Sequence, residues 1–131
     1  MVRGTANRRG GAAVEYALIL PALVMFVLGL MDCGRLLWTY TTLAHSVESA
    51  SRCAVVNTST CGSTTAIQTY AVGQAWGLGL GSSAFTVTAA TCGTEVLGAM
   101  TFTFVIPWLY GTAPFGSSNA MALSAMACYP S

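Results

Sequence analysis

Apolar positions along this chain follow three successive rhythms. The first is continuous. Tyr16 to Met31 carries no charge, and Glu15 is the single charged residue between Gly11 and Met31. About 20 apolar residues span a bilayer's hydrocarbon core, so Gly11–Met31 is long enough for one crossing. The second rhythm begins beyond Arg35, at Leu36, Tyr40, Leu43, Val47, Ala50 and Ala54. These intervals alternate four and three, the stripe of a helix that presents one face to a partner. Thr39, Thr41, Thr42, His45, Ser46, Glu48, Ser49, Ser51 and Arg52 fall between and form its solvated face. Glu48 and Arg52 stand four apart in the favourable order, worth a few tenths of a kcal/mol. One helix from Gly11 to Arg52 would be about 63 Å long at about 1.5 Å per residue. Pro21, inside the apolar run, removes one backbone donor and predicts a bend.

The segment Asn57–Thr65 is dense in turn formers and reads as a loop. A short helix is expected at about Thr65–Trp76, ended by the run Gly77-Leu78-Gly79-Leu80-Gly81. A period of two then takes over. Phe85, Val87 and Ala89 alternate with Thr86, Thr88 and Ala90. Met100, Phe102, Phe104 and Ile106 alternate with Ala99, Thr101, Thr103 and Val105. Met121, Leu123, Ala125 and Ala127 form a third strand. This pattern predicts an antiparallel sheet with one apolar face. The first turn is expected around Gly93-Thr94, and Pro107–Ser118, with Trp108, Tyr110, Pro114 and Phe115, makes a long aromatic connection that either closes over a small core or forms an exposed partner patch. The helix stripe and the apolar sheet face would bury each other. The expected fold class is α+β, a small head of about three strands on a long helical stem.

Charge gives this architecture a direction. All five cations are arginines, and Arg3, Arg8 and Arg9 precede the apolar run. Asp32 and Arg35 roughly cancel at its far end. By the positive-inside rule the amino terminus stays in the cytoplasm and the chain after about Met31 is exported. The expected organisation is a leader at 1–10, a membrane-spanning half-helix at 11–31, an exported stem at 32–56 and an exported head at 57–131. A removable secretory signal shares the charged start and apolar core. The run is longer than such a core, however, and no small-x-small cleavage site follows it. Only 7% of residues are charged and the basic ones are gathered at one end, which argues against a nucleic-acid-binding face.

Of five cysteines, Cys33 lies at the membrane exit, while Cys53, Cys61, Cys92 and Cys128 belong to the exported part. Four cysteines in a small extracytoplasmic domain suggest two disulfides, with three connectivities. Cys61, in the loop after the stem, is close enough to staple that loop to Cys53. Cys92 and Cys128 would then pair. In a sheet ordered one-two-three their strand ends lie about 10 Å apart, beyond the roughly 7 Å a disulfide spans. Either the first and third strands adjoin or a loop brings the ends together. No metal site is expected, because there is no Cys-x-x-Cys pair and His45 is the single histidine. No cofactor is expected either. The glycine run lacks a P-loop lysine, and Ser46 beside His45 lacks a third catalytic partner, so an enzyme is not expected.

Glu15 is the residue of greatest interest. An ionised side chain at bilayer depth costs several kcal/mol unless paired. It either sits at the membrane edge, where solvation is cheap, or meets a positive group inside. The candidate cation is a free amine on Gly11 of a neighbouring subunit, created by a cut after Gly10. A pair in a low-dielectric medium attracts strongly and offsets both desolvation costs.

The pattern Gly10-(four residues)-Glu15-Tyr16 resembles the processing site of Tad-type, class IVb prepilins. Leu20-Pro21, then Asp32-Cys33-Gly34-Arg35-Leu36-Leu37-Trp38, then Ala50-Ser51-Arg52 extend the likeness to the TadE-like minor pilins, or pseudopilins. It covers nearly all of residues 8–56, and the strand-rich tail Met121-Ala122-Leu123-Ser124-Ala125 is compatible with it. The resemblance implies cleavage between Gly10 and Gly11 by a membrane prepilin peptidase. It further implies that Glu15 and Tyr16 set the register of assembly, and that the chain joins or primes a Flp-type pilus. Partners would be that peptidase, other pilin subunits, the inner-membrane assembly platform and the lipid bilayer, with no nucleic acid. TadG-like relatives carry a long C-terminal domain this chain lacks, and the major Flp pilin is little more than a helix. Two rivals stand beside this expectation: a permanently anchored accessory protein that is never cut, and an exported domain that binds a surface.

Overall fold

The computed structural model describes residues 8–105 and 120–130. The expected aromatic connection Pro107–Ser118, the strand position of Ile106 and most of the leader lie outside them. A single helix, α1 (Arg8–Val56), runs for 49 residues, about 73 Å at about 1.5 Å per residue. It is longer at both ends than the periodicity predicts, and it continues through Pro21. A turn at 58–60 leads to α2 (Thr64–Gln74), where the Ser63 hydroxyl caps the first turn by accepting the Ala66 N–H at 3.2 Å. A short 3-10 turn (Ser82–Ala84) then precedes β1 (Phe85–Ala90), β2 (Gly93–Thr103) and β3 (Ala120–Tyr129).

The three strands form an antiparallel meander in the order β1-β2-β3. The upper half of α1 lies over β2 and β3, and α2 packs beside it against β1. Leu43, Val47 and Ala50 of α1 meet Phe85, Val96, Phe102, Leu123 and Ala125 of the sheet and Ile67 and Ala71 of α2. The result is a two-layer α+β head built onto the end of a helix. Gln68 ties the layers by donating from Nε2 to the Phe85 carbonyl at 2.7 Å.

Gly98, on the buried face of β2, marks the closest approach of stem and sheet. A Cβ there would lie 2.9 Å from Val47 Cγ1 and 3.0 Å from Leu43 Cδ1. Only a missing side chain lets the helix settle this near the strand.

Three expectations are corrected. The buried stripe of α1 is broader and rotated: Tyr40 is exposed, whereas Thr39, Ser46 and Ser51, assigned to the solvated face, are buried. The helix is covered on two sides, by the sheet and by α2, so its buried arc exceeds a two-position seam. Its hydroxyls tolerate burial because they bond their own helix. Ser46 Oγ donates to the Leu43 carbonyl at 2.7 Å and Ser51 Oγ to the Glu48 carbonyl at 2.9 Å.

Second, the first turn is Thr91–Cys92, not Gly93-Thr94; Ala90 pairs with Gly93, so β2 starts seven residues before the Met100 run. Gly93 adopts φ +126° at that turn, a conformation open to glycine. Third, alternation in β1 fails at its end, where Ala89 is exposed and Ala90 half-buried.

Two disulfides close the head. Cys53 at the top of α1 bonds Cys61 (Cα–Cα 5.8 Å), and Cys92 bonds Cys128 (6.2 Å). β1 and β3 do not adjoin. Cys92 sits in the turn rather than on β1, and that turn borders β2, one strand spacing from β3. Closing loops with sequence separations of 8 and 36 restricts the unfolded chain by roughly 2.6 and 3.8 kcal/mol in the chain-entropy account.

Candidate functional site

The functional surface of this molecule is the helix α1 itself, divided at Asp32. Below that point none of its described residues is buried. Val14, Tyr16, Leu18, Ile19, Leu20, Leu23, Val24, Phe26, Val27, Leu30 and Met31 are all exposed, on every side of the helix. A helix that is apolar all round belongs in a membrane or a large core. This one is long and apolar enough to cross a membrane, and none of its most apolar stretch is buried. About ten Leu, Ile, Val and Phe residues, at roughly 0.3 to 0.6 kcal/mol each, outweigh the roughly 3 kcal/mol that one carboxylate costs at mid-bilayer. Insertion wins even with Glu15 ionised.

Gly10, Gly11, Glu15 and Tyr16 lie in the first turns of α1. Gly11 and Glu15 are exposed and Tyr16 points outward. Glu15 makes no ion pair with a described residue. Gly10 is the third residue of the helix, so its N–H has no intrahelical acceptor. Pro21 stands one and a half turns further on and leaves the Ala17 carbonyl without its usual donor.

Asp32, the first residue past the apolar run, is a site that charge counting missed. It is 1% exposed. Its Oδ1 accepts from Arg35 Nη1 at 2.9 Å, and its Oδ2 accepts the backbone N–H of Val105 at 2.9 Å, just after β2. The Arg35 guanidinium lies 5.4 Å from the centroid of the Phe102 ring, within cation–π range. One buried carboxylate therefore clamps the foot of the sheet to the helix where the bare half begins. The sequence held a clue: an acid three residues before an arginine on a helix, directly after an uncharged run.

Trp38 and Trp76 meet edge to face above this clamp, with ring centroids 5.8 Å apart. Gly77, at φ +78°, lets the chain leave α2 under the Trp38 ring; a Cβ there would come within 2.8 Å of it. Cys33 is an exposed free thiol. Among the described residues no three His, Cys, Asp or Glu side chains gather as a metal site would require. The arrangement can anchor, dock and hold a head at a fixed height.

No curated protein and no solved structure matches the chain. A family model does: the one described as TadE-like protein matches residues 10–52. That interval begins at Gly10, takes in the bare half of α1, the Asp32–Arg35 clamp and the stripe, and ends one residue before Cys53. The match covers 43 of the chain's 131 residues, about a third of it. From Gly10 to Arg52 the chain is similar to TadE-like proteins.

Proposed function

We propose that this protein is a minor pilin or pseudopilin of a Tad/Flp pilus, made as a single-pass inner-membrane precursor. Residues 1–10 are its cytoplasmic leader, 11–31 its bilayer span, and 32–56 and 57–131 its exported stem and head. A prepilin peptidase cuts between Gly10 and Gly11, and the new amine of one subunit meets Glu15 of a neighbour as stems leave the bilayer together. The observation that carries this reading is the unburied lower half of α1, whose apolar stretch from Ala13 lies within the TadE-like match.

The local physics suits such a cut. Each glycine within a helix costs about 1 kcal/mol relative to alanine. The first four N–H groups of the helix have no helical hydrogen bonds to lose. Drawing residues 8–10 into an extended, cleavable form is thus cheap, and the rest of α1 stays intact. Tyr16 and the uncovered apolar residues above it then pack on neighbouring stems in place of lipid.

Amino-terminal sequencing of the membrane-fraction protein tests the cut. A start at Gly11 is expected; an intact Met1 or Val2 start would leave the permanently anchored accessory protein. Glu15→Ala should still be cut, yet fall at least tenfold in sheared pili. Wild-type amounts there would remove Glu15 from assembly.

A further inference from the structure

The Trp38–Trp76 pair is unexplained by anchoring, cutting or packing. Both indoles lie at the surface, Trp38 43% and Trp76 70% exposed, although they touch each other edge to face. Met31, the last residue of the bare apolar run, and Trp38 are seven residues apart, so they stand on one face of α1 within about 20°. Gly34 lies between them on that face and has open space at its Cβ position. Leu37, beside Trp38, is also exposed. Past Asp32 the face of Met31 continues through Gly34 to Trp38, flanked on one side by the half-exposed Arg35, which is paired with Asp32.

We infer that this end of the head is a membrane-seating surface, with Trp38 and Trp76 resting among phospholipid headgroups on the exported side. Indoles favour that layer because their rings are apolar and their single N–H meets phosphate or ester oxygens. The geometry allows it. Trp38 stands about 10 Å along the helix from Met31, and a headgroup layer is roughly 5 to 8 Å thick. A transmembrane helix tilts by about 20° on average. Tilting toward the tryptophan side lowers groups about 10 Å off the axis by about 3 Å. The pair then enters the layer. Gly77 has a matching role, since it brings the end of α2 down to the height of Trp38. Seated this way, the subunit holds its head in one orientation before it joins a filament.

The inference rests on α1 spanning a bilayer, and the experiment separates the two. The full chain carrying Trp108→Phe, which leaves Trp38 and Trp76 as its only tryptophans, is reconstituted in phosphatidylcholine–phosphatidylglycerol vesicles. Vesicle flotation after an alkaline wash reports anchoring; loss of the chain from the vesicles breaks the spanning reading itself. On retained protein, phospholipids brominated near the headgroup should quench tryptophan fluorescence at least twofold more than those brominated near the chain ends. Trp38→Phe and Trp76→Phe should each remove about half of that quenching. The seating idea is overturned if aqueous iodide quenches the pair as fully in vesicles as in free indole while headgroup-brominated lipid does not. It is equally overturned if shielding appears only as protein density rises at fixed lipid composition, because a second copy is then the occupant.

Discussion

The two halves of α1 belong to one unbroken helix and are both rich in apolar residues, yet they solve opposite problems. Below Asp32 the side chains are apolar on every side, and none of them is buried. Above it the helix is striped, and its inner arc mixes Leu43, Val47 and Ala50 with Thr39, Ser46 and Ser51. The lower half is left unburied by the described residues. The upper half has its partner built in. The contrast shows why composition alone is a poor guide to burial here: the bulkier apolar residues are outside, and hydroxyls are inside.

A matched pair of truncations breaks the comparison most sharply. Leu43 is 0% exposed and Leu23 is 54% exposed, on the same helix. Leu43→Ala removes packing against Val47, Phe85 and the foot of Gly98, and should lower the unfolding free energy of the head by about 2–5 kcal/mol. Leu23→Ala should change it by less than about 0.5 kcal/mol. Denaturant unfolding of the full chain in detergent, followed by near-ultraviolet circular dichroism, reads both. Equal losses would mean that the halves are not independent.

Asp32 is the boundary between them, and its removal is the next largest effect. Asp32→Ala orphans the Val105 N–H and releases Arg35, whose side chain is half exposed and can turn to water. The cost should therefore be about 1–3 kcal/mol, the penalty for an unsatisfied buried donor, rather than that of a stranded buried charge. Asp32→Asn keeps an acceptor for Val105 and should lose roughly half as much. If Asp32→Ala leaves the unfolding midpoint unmoved, the clamp does not hold the sheet to the stem.

Much of this was legible beforehand, and the failures have a common cause. The long helix, the α+β class and the inward positions of β2 and β3 follow from period alone, because Phe102, Leu123 and Ala125 alternate cleanly with Thr101, Thr103 and Ser124. Period does not show that a hydroxyl bonded to its own helix counts as apolar from outside, which is why Ser46 and Ser51 read as solvated positions. Nor could it show an absence being used as contact, as at Gly98, where the missing Cβ is what the stem packs on. Asp32 was read as one of two cancelling charges because its second partner, Val105, lies 73 residues away in sequence. For Gly10, Gly11 and Glu15 the structure adds a place at the helix start, with Gly11 and Glu15 exposed, while the role proposed for them depends on groups outside this chain.

The smallest effect is the most discriminating test of how the upper half is built. Ser46 is completely buried, yet its hydroxyl serves only the Leu43 carbonyl one turn back. That carbonyl also belongs to the helix ladder, so Ser46→Ala orphans nothing. The lost hydrogen bond, worth about 1 kcal/mol, is offset by roughly 0.5 kcal/mol of better helix propensity and by removal of a polar group from the core. The net change should lie within about 0.5 kcal/mol of zero. Ser46→Leu should instead cost about 1–3 kcal/mol by overpacking. On the bare half, Ala17→Leu adds the same kind of bulk at an exposed position and should not move the unfolding midpoint. Small size, rather than hydrogen-bonding capacity, is then what the stem requires at position 46. A large loss for Ser46→Ala would reverse that assignment and make the hydroxyl itself a structural element.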